Sequence, residues 1–150
     1  MPEDIIGNEI GIDTETITYI TERSQNIVRY SDKISEVLEV VDKYFEKIGP
    51  IAGIKFIDPE PFYVENDPYL GKTEYYLKVT KDWGLWARKW GEIPESTLIT
   101  ESPRHIKKFA IKRFPEFLRL YAEKLKELEK EYKDVAAKAE LIAEVLGESE

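Results

Sequence analysis

Between positions 104 and 113 the chain carries Arg104, Lys107, Lys108, Lys112 and Arg113, with His105 among them and no acid. On a helix, Arg104, Lys107, Lys108 and Lys112 fall on a single face, while Ile106, Phe109, Ala110 and Phe114 fall on another. A cationic helix face suits phosphate, because Lys and Arg neutralise a nucleic-acid backbone and release its counterions. A second cluster precedes it. Trp86, Arg88 and Trp90 alternate, so on a strand they share one face, and rings beside a guanidinium make a base-stacking platform. These eight residues, Arg104, Lys107, Lys108, Lys112, Arg113, Arg88, Trp86 and Trp90, form the candidate nucleic-acid-binding set, for DNA or RNA. A competing reading uses the same residues differently. The cations pair with acids of this chain or of a protein partner, and the Trp rings are core.

Other chemistry is scarce. Asp58, Glu60, Glu65 and Asp67 lie close together, and carboxylate oxygens are ligands for hard cations. Their spacing lacks the D-x-D-x-D-G order of a calcium loop. Asp before Pro more commonly makes a turn and accepts from backbone N–H groups, so no metal site is assigned. There is no Cys and one His, which excludes thiolate sites, disulfides and any site needing two imidazoles from one chain. Gly71-Lys72-Thr73 has the tail of a phosphate-binding loop without its preceding Gly, and no G-x-S-x-G elbow exists. His105 has no sequence-local nucleophile or metal partner and reads as a surface residue. The sequence assigns no catalytic residue and no cofactor, and the chain reads as a non-enzyme.

The net charge of −8 over 150 residues argues against indiscriminate coating of DNA. The charge is unevenly spread, however. Residues 72–113 hold ten bases against five acids, whereas residues 1–49 hold five bases against eleven acids. Lys (16) and Glu (22) dominate while Gln occurs once and Asn three times, a composition that fits a heat-adapted archaeal protein. A Lys- and Glu-rich coiled coil has the same composition in any organism. No apolar run approaches a membrane span. The acidic start lacks a signal-peptide profile, so a cytoplasmic protein is expected.

Two heptad segments must position these clusters. Ile111, Phe114, Leu118, Tyr121, Leu125, Leu128, Tyr132, Val135, Ala139, Ile142 and Leu146 alternate at three and four, the seam of a helix that buries a narrow stripe. The spacing predicts a helix over about 115–146, with Pro115 in its first turn and Gly147 as its stop. Ile17, Ile20, Ser24, Ile27, Ser31, Ile34, Leu38, Val41, Phe45 and Ile48 repeat the pattern and predict a helix over about 17–48, ended by Gly49-Pro50. Ser24 and Ser31 weaken the first half of that seam. Ser31 or Asp32 offers a cap, and a strand over about 9–20 is an alternative. Between the helices, Pro and Gly break up short β-prone runs at 54–57, 62–64, 75–79 and 85–90, the last two forming a hairpin. Ser102-Pro103 opens a short basic helix over 103–113.

The expected fold is therefore α+β and single-domain. Two long antiparallel heptad helices flank a small antiparallel sheet (about 54–90) and the short basic helix, with both termini together. The helix–sheet–helix order resembles that of prefoldin-type chaperone subunits in layout alone, with no residue motif behind it. Two helices make a thin core, so a homodimer through the heptad helices is expected. Two functions follow. One is a nucleic-acid-associated protein that uses the basic helix beside the aromatic hairpin. The other is a structural or protein-interaction coiled-coil protein, chaperone-like or scaffold.

Overall fold

A computed structural model describes residues 10–69, 71–80, 82–91 and 94–148. The fold is α+β: two long helices and a small five-stranded antiparallel sheet. Helix α1 spans Thr14–Ala52. Asp13 caps it, one carboxylate oxygen accepting from the Glu15 N–H at 3.0 Å and the other from the Thr16 hydroxyl at 3.3 Å. The strand alternative over 9–20 is thereby replaced by helix from Thr14 on, residue 9 lying outside the described residues. Ser31 and Asp32 lie inside the helix and cap nothing. Gly49-Pro50 does not end it either. Gly49 lacks the Cβ that would clash with Pro50 in helical geometry, and the helix runs on to Gly53. There a left-handed φ of 69° lets the Gly53 N–H bond to the Gly49 carbonyl at 3.0 Å.

The strands are β1 (Phe56–Ile57), β2 (Tyr63–Asp67), β3 (Gly71–Val79), β4 (Leu85–Trp90) and β5 (Glu95–Leu98). The predicted hairpin is β3–β4, with Leu77 opposite Ala87 and Tyr76 opposite Arg88. β1 and β2 both pair with β3 and together make one interrupted edge. Pro59 and Pro61 sit in the interruption, where a missing N–H costs no ladder bond. The Asp58 and Phe62 N–H groups on either side still bond to β3 carbonyls at 2.9 and 2.8 Å. β5 pairs with β4 on the other side and extends the sheet beyond its expected end at 90.

A 3-10 turn, Ile99–Glu101, leads into helix α2, Arg104–Glu148. The expected short helix and long helix are one 45-residue helix with Pro115 inside it. An interior Pro costs about 3 kcal/mol. What offsets it is continuity of the buried stripe, since Ile106, Ala110, Phe117 and Tyr121 are all buried and lie on both sides of the Pro.

The helix pair runs opposite to expectation. Ser35 of α1 meets Lys107 of α2, and Phe45 meets Phe117 and Tyr121. Partner number rises along both helices, so they run in the same direction where they touch, not antiparallel. The seam alone does not distinguish the two, because an a/d stripe is satisfied by a neighbour of either polarity. Only about residues 31–49 of α1 overlap about residues 104–121 of α2. The rest of α1 projects past one end of the body and the rest of α2 past the other, so the described chain ends do not meet.

The core lies between this overlap and one face of the sheet. Phe45 is its centre, in edge contact with Phe114, Phe117 and Tyr121 at 5.5–6.2 Å. Leu77, Val79, Leu85 and Ala87 face it from β3 and β4. Asp42 of α1 fixes the sheet to the helix layer by accepting from the Leu85 N–H at 2.8 Å. Gly49 lets the Trp83 ring lie against the helix, since a Cβ there would stand 2.7 Å from it.

Candidate interaction surfaces

The eight predicted residues do not form one site. Leu85 and Ala87 are buried against the helices, so the alternating Trp86, Arg88 and Trp90 face the other way. The basic stretch of α2 lies on the helix side. Sheet and helix cations are thus in separate layers, and a basic helix beside an aromatic hairpin face is not what folds.

Within the helix the cations divide further. Arg113 is consumed internally. Its Nε and Nη2 donate to the two oxygens of Asp58 at 2.8 Å each, and Nη1 reaches Glu60 at 3.5 Å. The Asp58 side chain is fully buried and that of Arg113 is 18% exposed. The bonds to Asp58 hold the Arg113 guanidinium above its ordinary range, against the opposing effect of burial. This bidentate pair joins the strand edge to α2. Lys107 is half-buried and donates to the Ser35 hydroxyl at 3.1 Å, bridging the two helices. Lys108 and Lys112 are exposed and flank the Phe109 ring at 4.8 and 5.2 Å, and Arg104 is exposed.

The remaining acids of the Pro-rich segment are turn and strand residues. Asp58 also accepts from the Glu60 N–H, Asp67 from the Tyr69 N–H, and Glu65 from the Tyr75 hydroxyl. Among the described residues no three His, Asp or Glu groups converge as metal ligands. His105 is exposed, with its ring 5.6 Å from Tyr63, on the rim of a cleft of about 250 Å³ that also holds Glu65, Tyr75, Lys89 and Glu95.

The outer sheet face is open. Arg88 lies 4.3 Å over the Trp90 ring, and Trp90 is 51% exposed. Trp86 is half-buried, and its indole N–H is enclosed with no acceptor among the described residues. Opposite them on β3 stand Tyr76 and Lys78. Lys78 donates to Ser96 at 2.7 Å, and its ammonium is held below the ordinary lysine range, first by burial, then by repulsion from Arg88 and, more weakly, Lys55. Sequence reading missed Lys78 and Tyr76, although β3 opposite β4 in a hairpin would have pointed to them. Glu74 moderates this face. It pairs with Lys72 at 2.8 Å and accepts from Tyr76, and these bonds lower its pKa.

The largest exposed features are the two helical arms, residues 14–30 and about 122–148. The first leaves Ile17, Tyr19, Ile20, Ile27, Val28 and Tyr30 exposed, and the second Tyr132, Val135, Leu141, Ile142, Val145 and Leu146. Seven of these, Ile17, Ile20 and Ile27 on one arm and Tyr132, Val135, Ile142 and Leu146 on the other, are seam positions. The stripes identified as the buried contact of an intramolecular pair are therefore open in the single chain. Among the described residues no helix is long and apolar enough to cross a membrane.

Compared with family models, with curated proteins and with solved structures, the chain shows no match. The fold and its surfaces define an α+β body with two oppositely directed amphipathic arms, and the functional reading rests on that geometry.

Proposed function

We propose that this chain is a structural interaction protein whose two helical arms are its assembly surfaces, with the α+β body as the rigid piece that holds them apart. The supporting observation is the pair of exposed heptad stripes. Apolar seams on helices of about 25 and 40 Å are covered in solution by other helices. The arms differ in what they need. The amino-terminal arm is rich in Thr and Ile, poor helix formers, and an isolated helix of that length is marginal. The carboxy-terminal arm is rich in Ala, Glu, Lys and Leu and is intrinsically helical. Amide hydrogen exchange tests the reading. Amides of residues 17–30 are expected to be protected at high protein concentration and to lose protection on dilution, while β3 and β4 stay protected. Rapid exchange of residues 17–30 at every concentration would remove the reading.

A second reading is nucleic-acid association through the outer sheet face rather than through α2. The crowding of Lys78, Arg88 and Lys55 beside Trp90, Trp86 and Tyr76 favours it, because single strands are bound by cations and stacking rings together. It predicts quenching of Trp fluorescence by a single-stranded oligonucleotide at low salt, reversed by added salt and lost in Arg88→Gln with Trp90→Ala. Unchanged quenching in that variant would remove it. The composition supports a heat-adapted archaeal source, and the lack of a spanning helix among the described residues is compatible with a cytoplasmic one.

A further inference from the structure

The geometry points to a second copy of this chain as the occupant of the arms, seated by exchange: the amino-terminal arm of each copy lies antiparallel along the carboxy-terminal arm of the other. This rests on the assembly reading above and names its partner. α1 and α2 run the same way in their overlap, so their free arms leave opposite ends of the body and cannot meet within one chain. A twofold axis perpendicular to the helices places each amino-terminal arm beside the partner's carboxy-terminal arm. One operation covers both stripes, and the interface closes on itself.

The lengths nest, about 25 Å of one arm within about 40 Å of the other. The seams interleave as well. With the axis opposite the middle of the overlap, Ile17 meets Val135 of the partner subunit, Ile20 its Tyr132, and Ile27 its Leu125. Each is a pairing of an a position with a d position, as an antiparallel coiled coil requires. The same alignment puts Arg23 beside Glu131 of the partner subunit at the flanking positions. In the single chain Arg23 rests on the Tyr19 ring at 4.9 Å, with its charge at the exposed edge of the stripe.

A groove receives the arm. Where the amino-terminal arm leaves the body, Ile27, Tyr30 and Ile34 line an opening of about 270 Å³ with Arg104 and Lys108 at its rim. In that register the groove faces positions 118–125 of the partner subunit, and Leu118 of the partner subunit meets Ile34, continuing the pairing of a with d positions.

The absence of native Cys gives a clean test. Arg23→Cys and Glu131→Cys are exposed substitutions that leave the body intact, made in separate chains of different tag length, mixed and treated with a short bis-maleimide. The expected product is a cross-linked pair of one Arg23→Cys chain with one Glu131→Cys chain, with little product from either variant alone. In unmodified chains, Arg23→Glu should weaken the dimer about tenfold over its two equivalent contacts, and Glu131→Arg added to it should restore the affinity. A dimer in velocity sedimentation that cross-links only like arm to like arm overturns the exchange and leaves the assembly reading standing. A monomer at every concentration overturns both.

Discussion

Replacing Arg113 by Met should destabilise the chain by about 3–5 kcal/mol. Met keeps much of the stem volume but removes the guanidinium. Asp58, buried at the base of β1, then loses two bonds of 2.8 Å and retains the Glu60 N–H at 3.0 Å. Bonds to charged groups contribute roughly 1.5–3 kcal/mol each, so the bond count and the penalty for a stranded buried carboxylate agree. At roughly 2–4 °C per kcal/mol for a chain of this size, the midpoint should fall by roughly 6–20 °C. The paired variant Asp58→Asn with Arg113→Met should recover about half of the loss, because no charge is left buried. Urea and thermal unfolding followed by circular dichroism measure both. If Arg113→Met melted within about 2 °C of the parent, or kept its stability while losing nucleic-acid affinity, the structural role of Arg113 would be wrong and the phosphate reading of the sequence would return.

Gly49→Ala should destabilise by about 1–3 kcal/mol although Ala is the better helix former by about 1 kcal/mol, because the new Cβ meets the Trp83 ring; urea midpoints give the sign. Asp42→Ala should cost about 1–3 kcal/mol by leaving the buried Leu85 N–H unpaired, and slow amide exchange at Leu85 should be lost. Lys78 titrates below free lysine, and Arg88→Gln should move it part of the way back, with burial keeping the remainder; NMR of the Lys side chains reads this. The sign for stability follows. The folded chain releases the Lys78 proton at lower pH than the unfolded chain, so stability rises with pH from the folded pKa towards the ordinary lysine value, and Lys78→Met should flatten that rise.

Much of the secondary structure was legible. The seams marked both long helices, and alternation with Gly and Pro marked the β3–β4 hairpin. What escaped had physical causes. Pro115 looked like a helix start because local rules weigh the missing N–H, whereas the continuous stripe from Ile106 to Tyr121 decides the outcome. Gly49-Pro50 looked like a stop, but Gly removes the clash that makes Pro disruptive to its predecessor. The polarity of the helix pair was illegible, since a heptad pattern fixes which face is buried and not what covers it. At the candidate site, the alternation of Trp86, Arg88 and Trp90 correctly put them on one face. Their separation from the helix cations depends on which sheet face packs against α1 and α2, and the loss of Arg113 to Asp58 depends on a contact across 55 positions.

The central claim is that the exposed stripes of the two arms are assembly surfaces, and sedimentation equilibrium tests it most directly. The account predicts a dimer mass for the parent chain that dissociates on dilution. It predicts a monomer mass for the chain carrying Val135→Lys and Ile142→Lys, with an unchanged tryptophan fluorescence maximum, because both positions are exposed and Trp83, Trp86 and Trp90 all lie in the body. A parent chain that sediments as a monomer at all concentrations, or a dimer untouched by these two charges, would contradict it.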